Sequence, residues 1–304
     1  MVKKFTLTDF KITEANEKNA TIFIYINPDG DEKKYLTEEL RIDEHTLNSA
    51  LDPDELSRLE FEPDHIAMIV KRPKNYSGKD LLYFKVFSKG VFLFKDKLII
   101  VIGEDINLFE GKHFSKVISL KDVMLKVIYR AIFHFLEHIK VFMMITEELE
   151  KKINTSMENK YLINLFTLEK SLVYYLNAIN SNSLLFEKMK YYIQKFEFET
   201  EESEFLDDII IENTQCYKQS DIYSNILASL MDARASIVSN NINLLMKTLT
   251  IITIMIMVPT LVVSAFSMNV NIPIADHPQA FWIILGLAVI SVVGIILLWK
   301  KKKW

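Results

Sequence analysis

The sequence contains few residues of the types that interrupt or cross-link a chain. Among its 304 residues there is one cysteine, Cys216, which excludes an internal disulfide and is expected to be a packing residue. Seven glycines and seven prolines are present, but none of them lies in residues 112–258. Sheet proteins need turn residues far more often than that, so this segment is predicted to be almost wholly helical.

Strong charge and nucleotide-binding motifs are also absent. The net charge of -4 is small and mixed in sign, which argues against nucleic acid as a partner. Neither G-x-x-x-x-G-K-[ST] nor G-x-G-x-x-G occurs, so no nucleotide is expected either. Residues 134–138 fit H-x-x-E-H, a zinc-peptidase pattern, but the motif is short and lies within a predicted long helix. The protein is therefore not expected to be an enzyme or to hold a resident cofactor.

Two long apolar segments lie near the end of the chain. Residues 244–266 carry one charge, Lys247, and residues 280–299 carry none. A bilayer core needs about 20 helical residues. Because helices of soluble proteins rarely stay apolar all round for this length, both segments are predicted to be transmembrane helices in contact with lipid.

The distribution of basic residues predicts the orientation of the two spans in the membrane. Four lysines at 300–303 follow the second span, whereas the connection 267–279 has no lysine or arginine. The positive-inside rule places the connection outside the cell and the basic tail 300–304 in the cytoplasm. The N-terminal region has no apolar secretory signal and is expected on the same side. The prediction is a multi-pass protein of the cytoplasmic membrane with both termini cytoplasmic.

The region before the spans divides into three parts. Residues 1–112 are predicted to form a cytoplasmic α/β domain, residues 113–202 long cytoplasmic helices, and residues 203–243 a stalk helix that continues into the first span. At 1.5 Å per residue, a helix over residues 203–266 is about 95 Å long, too long to be stabilised by one copy alone. Within the α/β domain the β-rich segments are 21–26, 66–71, 81–86, 91–94 and 98–102, and the helical ones are 37–40 and 54–59.

The first span carries a stripe of small polar residues and methionines. Thr253, Thr260 and Ser267 recur every seven residues, a spacing that keeps one side toward a partner. Met246 and Met257 fall on or near this side, with Leu249 and Asn243 further toward the cytoplasm. The alternative for the threonines is that they hydrogen-bond to their own helix and carry no function. Two spans cannot enclose a water-filled path, so conduction would require several copies around one axis.

The stripe ends in the triplet Ser267-Met268-Asn269. A ring of asparagines at a pore mouth offers neutral oxygens that suit the first-shell waters of a hydrated cation. Mg²⁺ sheds water reluctantly and usually keeps several waters when bound. The triplet therefore favours passage of a hydrated divalent cation over tight binding by carboxylates.

These features together resemble the CorA family of divalent-cation channels and transporters, which carry magnesium in the main. The resemblance covers the α/β region, the long helices, the stalk, the two spans and the basic tail, and is strongest over residues 243–252, Pro259-Thr260 and the W-K-K-K-K-W end. The family signature is Gly-Met-Asn; Met268 and Asn269 match it, and Ser267 replaces the glycine. Serine keeps the backbone carbonyl but loses the glycine's freedom of φ.

The resemblance implies a funnel-shaped homo-oligomer, with a pentamer expected. Asn269 would form the outer selectivity ring, and methionine and leucine rings would form a hydrophobic gate. The conduit would be lined by Asn243, Met246, Leu249, Met257 and Thr260. The family also senses intracellular Mg²⁺ at carboxylates between neighbouring cytoplasmic domains, for which Asp208 and Asp232 are the candidates here. The partner expected from the N-terminal region falls near Ser49, which is not acidic, with Asp52 and Asp54 close by.

The expected function is Mg²⁺ uptake through a passive channel driven by the membrane potential. One alternative is a relative tuned for Zn²⁺, Co²⁺ or Ni²⁺, with possible proton coupling, which the altered triplet and the acid-poor connection (Asp276 alone) keep open. Another is a membrane-anchored scaffold or enzyme, against which the polar stripe argues.

Overall fold

The computed structural model describes residues 1–76, 82–155, 159–270, 274 and 277–302. The chain divides into two units, Met1–Met231 and Asp232–Trp304. One helix, α6 (Thr200–Phe266), contributes to both.

The N-terminal unit contains a seven-stranded sheet. Its strand order is β2-β1-β3-β7-β6-β5-β4, and β3 and β7 form the one parallel pair among the described strands. The strands are β1 (Val2–Thr8), β2 (Lys11–Glu14), β3 (Ile22–Ile26), β4 (Arg58–Phe61), β5 (His65–Pro73), β6 (Val86–Phe94) and β7 (Leu98–Ile102).

Both faces of the central strands are covered, which explains why these strands are apolar at most positions. One face carries α1 (Gly30–Lys34), a π-helical turn (Tyr35–Glu39) and α2 (Glu44–Ser49). Ala67, Ile69 and Phe92 belong to the apolar cluster on that side. Met68 and Val91 point to the other face, where a larger cluster packs against long helices.

Those long helices confirm the prediction made from the absence of glycine and proline. They are α3 (Leu120–Thr155), α4 (Asn159–Tyr191) and α6, with a short α5 (Ile193–Phe196) before α6. A buried amide joins α4 to the sheet: the Asn182 side chain accepts from the backbone N–H of Lys71 at 2.9 Å and donates to its carbonyl at 3.0 Å. The predicted fold class, an α/β domain followed by long helices and two C-terminal apolar helices, is confirmed.

Two local predictions in the α/β domain were wrong. Residues 54–59 were expected to be helical, but Arg58–Phe61 pairs antiparallel with Ile66–Ile69 as an edge strand, because its side chains complete the sheet face. The expected strand over 81–86 is irregular at residues 82–85, and β6 begins only at Val86; Leu81 lies outside the described residues. The strands β1 and β2 were not anticipated, since their charged residues hide the period-two pattern.

The C-terminal unit contains the end of α6 and α7 (Ala280–Lys302), both long and apolar enough to cross a membrane. Each helix has a partly covered side. On α7 it includes Ile284, Ala288, Ser291 and Ile295. On α6 the covered side consists of Ile251, Met255, Val258, Pro259, Val262 and Phe266. These are the less exposed sides of the two helices in this unit.

Candidate functional site

The residues predicted to line a conduit lie on the more exposed side of the membrane-length part of α6. Successive residues of an α-helix are about 100° apart, so positions can be compared around the helix axis. Met246, Leu249, Thr253, Met257 and Thr260 lie roughly opposite the covered side, and all five are exposed in the single chain. We call these five residues the open side of α6. Asn243 is exposed too, but it is displaced toward the flank.

The threonine hydroxyls of the open side hydrogen-bond to their own helix. Thr253 Oγ1 donates to the Leu249 carbonyl at 2.9 Å, and Thr260 Oγ1 donates to the Ile256 carbonyl at 2.6 Å. The hydroxyl proton is thereby used, while the oxygen keeps its capacity to accept. First-shell waters of a cation turn their hydrogens outward. A surface of acceptor oxygens therefore matches a hydrated cation, and back-bonding does not remove that property.

The polar triplet begins where α6 ends. Ser267 donates its backbone N–H to the Ser264 carbonyl at 3.2 Å and its hydroxyl to the same oxygen at 2.9 Å. Ser267 is not among the described residues with positive φ, so a serine fits here without the conformational freedom of glycine. The side chains of Ser267, Met268 and Asn269 are all exposed. Asp276, the acid of the connection, lies outside the described residues.

The open side and the triplet carry no formal charge. The sequence from Thr248 to Val270 has no acidic or basic residue. Attraction of a cation to this surface would therefore come from oxygen dipoles and from the membrane potential rather than from fixed charges.

The two acids considered for regulation, Asp208 and Asp232, are both exposed. They are separated by 24 positions in the sequence of α6 and fall in different units of the chain. Ser49 is buried, and its hydroxyl oxygen accepts a hydrogen bond from the Arg58 guanidinium at 3.1 Å. Asp52 Oδ1 accepts a hydrogen bond from the backbone N–H of Asp54 at 2.9 Å. Among the described residues there is no cluster of three or more metal-ligating side chains. A regulatory site at these acids would need a second copy of the chain.

The H-x-x-E-H residues are used in packing. His138 Nδ1 and the Tyr175 hydroxyl are 2.6 Å apart, and Glu137 pairs with Arg130 at 3.2 Å. Burial lowers the pKa of His138 to about 4, and burial together with His138 and Arg130 lowers the pKa of His134 to about 3. Cys216 is fully buried, and burial raises the pKa of its thiol to about 12.

A cluster of basic side chains in the N-terminal unit was not anticipated. Arg72 on β5 and Lys89 on β6 point to the same face of the sheet and meet Arg130 of α3 around a small pocket. In the sequence, the feature that indicates this cluster is a basic residue at an inward position of an otherwise apolar strand. It could be found only after the strands and their register were known.

Comparison with known proteins covers nearly the whole chain. A family model described as CorA-like Mg²⁺ transporter protein matches residues 17–301. The cobalt/magnesium transport protein CorA of Methanocaldococcus jannaschii is 26% identical over 292 residues, which are 91% of this chain and 89% of that protein.

Two solved structures share the fold. The complete structure of the CorA magnesium transporter from Methanocaldococcus jannaschii has a TM-score of 0.79 at 20% identity, covering 99% of this chain and 97% of that one. The full-length CmaX protein has a TM-score of 0.72 at 14% identity with the same coverage. Because the family match extends from the α/β domain through both spans, the chain belongs to the CorA-like Mg²⁺ transporter family, whose members transport divalent cations and are not enzymes.

Proposed function

We propose that this protein takes up Mg²⁺, still hydrated, through a passage lined by the first spans of several copies of the chain. The pentamer implied by the family resemblance is the expected assembly, with both termini in the cytoplasm. The observation that carries the proposal is the exposure of the open side of α6, which lies opposite the partly covered side of the same helix. Acceptor oxygens and thioethers on that side are available to a central axis, while the opposite side is left to pack against the second span.

A selectivity ring at the outer end follows from the triplet. Asn269 comes three residues after the end of α6, and its exposed amide oxygen is neutral. Repeated around an axis, such oxygens accept hydrogen bonds from the waters of a hydrated dication without stripping them. Weak binding allows release, which conduction requires.

Hydrophobic rings of Met246, Leu249 and Met257 provide the gate. All three side chains are large, apolar and more than half exposed in the single chain. Brought together around an axis they would exclude water, and such a constriction closes by dewetting. Two charges crossing 100 mV gain about 4.6 kcal/mol, enough to drive uptake without a nucleotide. Sensing of cytoplasmic Mg²⁺ by Asp208 and Asp232 of neighbouring copies belongs to the same proposal.

Uptake into proteoliposomes tests the proposal. The variant Asn269→Ala removes the ring of amide oxygens and should abolish Mg²⁺ flux. Gln279→Ala is the matched control, because Gln279 is an exposed amide at the start of α7, and this variant should keep normal flux. Ser267→Gly should also conduct, since Ser267 does not need a left-handed φ. Normal Mg²⁺ flux in Asn269→Ala would contradict the proposed selectivity ring.

A relative tuned to Zn²⁺, Co²⁺ or Ni²⁺, with or without proton coupling, is the second candidate. It is favoured by Ser267 in place of glycine and, for Co²⁺, by the name of the Methanocaldococcus jannaschii relative, a cobalt/magnesium transport protein. Side-by-side uptake of Mg²⁺, Co²⁺, Ni²⁺ and Zn²⁺, with and without a proton gradient, separates the two. Flux of a transition metal without Mg²⁺ flux would establish the second candidate in place of the first.

A further inference from the structure

A pocket in the N-terminal unit gathers three cations, of which Lys89 has no carboxylate partner among the described residues. It has a volume of about 100 Å³ and lies between one face of the sheet and α3. Its polar lining consists of Arg72, Asn75, Lys89, Asn107, Glu110, Arg130 and His134. We call this the basic pocket.

Strand register brings two of these cations together. Arg72 of β5 is paired with Phe87 of β6, and Lys89 lies two residues further along β6. Both side chains therefore point to the same face as diagonal neighbours, at a Cα separation of about 7–8 Å. Like charges in such positions repel, and each remains at an inward position of a strand whose other inward residues are apolar.

The side of the pocket opposite the sheet is formed by α3, which contributes Arg130 and His134. Val127, Arg130, Ala131 and His134 follow the i, i+3, i+4, i+7 pattern, so one side of α3 faces the pocket. The Coulombic effects of Arg130, Arg72 and Lys89 all lower the pKa of His134, which places the three cations near one imidazole. His134 is neutral and can donate or accept a hydrogen bond.

Lys89 is the least compensated of these cations. It is 1% exposed, and its ammonium donates to the Val127 carbonyl at 2.6 Å. An ammonium has three N–H donors, and among the described residues no carboxylate pairs with this one. Burial, with a contribution from Arg72, lowers the pKa of Lys89 to about 7. An unpaired charge at such depth is strongly unfavourable.

Arg72 has a free donor as well. It is 3% exposed, donates to the Pro73 carbonyl at 2.9 Å and pairs with Glu104 at 3.4 Å. Its Nε has no hydrogen-bond partner among the described residues. A guanidinium fork with an unused N–H is the donor that phosphate-type oxyanions and carboxylates match best.

Three carboxylates lie in or beside the pocket, but none of them pairs with Lys89. Glu104 pairs with Arg72 at 3.4 Å, and Glu137 pairs with Arg130 at 3.2 Å. Glu110, in the pocket lining, is exposed to solvent and accepts a hydrogen bond from Asn107 Nδ2 at 3.2 Å. Among the described residues, each guanidinium thus has one carboxylate partner and the Lys89 ammonium has none.

We infer that the basic pocket is a binding site for a small phosphate-type oxyanion, held by Lys89, Arg72 and Arg130. The anion supplies the missing charge for Lys89 and acceptors for its free N–H groups and for Arg72 Nε. Such a site would link the state of the N-terminal unit to the concentration of a cytoplasmic anion. This inference does not depend on the proposed Mg²⁺ conduction, because its test measures stability rather than flux.

The test uses the full-length protein in detergent and measures its thermal unfolding midpoint at constant ionic strength. Inorganic phosphate and sulfate should raise the midpoint above its value in chloride, because a ligand that binds only the folded state stabilises it. Ribose 5-phosphate is the third ligand. Stabilisation by inorganic phosphate alone identifies a free anion as the occupant, and stabilisation by both identifies the phosphoryl group of a metabolite.

Variants locate the site. Lys89→Met keeps the side-chain volume without the charge, and should weaken sulfate binding at least tenfold. Arg130→Gln, at a half-buried position, gives a second measurement in case Lys89→Met unfolds, and should also weaken binding. Lys71→Met is the matched control. Lys71 is also a buried lysine of the same sheet, but its ammonium donates to Pro53 and Ser88, so sulfate binding should be unchanged.

The pH dependence of sulfate binding distinguishes a direct role of the Lys89 charge in binding from a purely structural role. Sulfate keeps its charge across neutral pH, whereas Lys89 is protonated more fully as the pH falls through 7. Sulfate should therefore bind more tightly at lower pH in the wild type, and the trend should disappear in Lys89→Met. The inference is overturned if neither phosphate nor sulfate stabilises the wild type beyond chloride, or if Lys89→Met and Arg130→Gln both keep the full effect.

Discussion

The assignment of two opposite sides to α6 predicts which positions of the first span meet water. The most direct test replaces Met257, on the open side, and Met255, on the covered side, each with cysteine. The two positions carry the same residue type two places apart, and they lie on roughly opposite sides of one helix. Thr260→Cys and Val262→Cys form a second such pair nearer the outer end.

The native cysteine permits this experiment without a cysteine-free background. Cys216 is fully buried, and its pKa is raised to about 12. At pH 8 about one in ten thousand of its thiols is ionised, against about a quarter for an exposed cysteine with a pKa of about 8.5. Since the thiolate is the reactive form, ionisation alone favours the introduced cysteine by about three orders of magnitude, and burial adds to this.

The assay treats proteoliposomes with a charged, membrane-impermeant thiosulfonate reagent and follows both labelling and Mg²⁺ flux. Met257→Cys and Thr260→Cys should be labelled, and labelling should block flux, because a bulky charged adduct then occupies the passage. Met255→Cys and Val262→Cys should react about tenfold more slowly or not at all. The wild type, with Cys216 alone, should remain unlabelled. If each covered-side cysteine reacts as fast as its open-side partner, the proposed arrangement around a central passage is refuted.

Two further predictions concern the N-terminal unit. Asn182→Leu should lower the free energy of unfolding by about 2–4 kcal/mol, because it leaves the backbone N–H and C=O of Lys71 without their buried partner. Asn180 is exposed on the same helix, so Asn180→Leu should change the free energy of unfolding little. Equal effects of the two substitutions in denaturant titrations would contradict the role of Asn182. The free energy of unfolding should also fall as the pH is lowered from 6.5 toward 4, because the unfolded chain then binds a proton at His138 that the folded chain, with a His138 pKa of about 4, does not. His138→Gln should reduce this dependence and leave the share contributed by His134, whose pKa is about 3, whereas replacing the exposed His113 with Gln should not reduce it. An unchanged slope in His138→Gln would show that His138 titrates normally.

The predictions from sequence were strongest where a pattern extends over many residues. The lack of glycine and proline from 112 to 258 requires long helices, and two apolar segments of membrane length follow it. Short elements were less predictable. Arg58–Phe61 forms a strand only because β5 offers it an edge, and Val2–Thr8 gains its place from pairing with two other strands. Such preferences come from partners distant in the chain, which a local pattern does not contain.

Some features of the candidate site could likewise be predicted from the sequence, and others could not. The heptad spacing of Thr253, Thr260 and Ser267 and the triplet that follows were visible in the sequence, because helical period and residue chemistry are local properties. The roles of these residues in conduction and of Asp208 and Asp232 in regulation remain predictions. Whether the threonine hydroxyls bond to their own helix was left open by the sequence and was decided by the geometry.

The sequence by itself determined that this chain has an α/β region, long helices and two membrane-length helices, the first followed directly by an uncharged triplet, because each follows from composition and period along the chain. Only the tertiary structure decided which side of α6 is partly covered, and that Arg72, Lys89 and Arg130 surround one pocket. Both depend on packing between elements far apart in sequence, where strand register and helix rotation set which side chains meet.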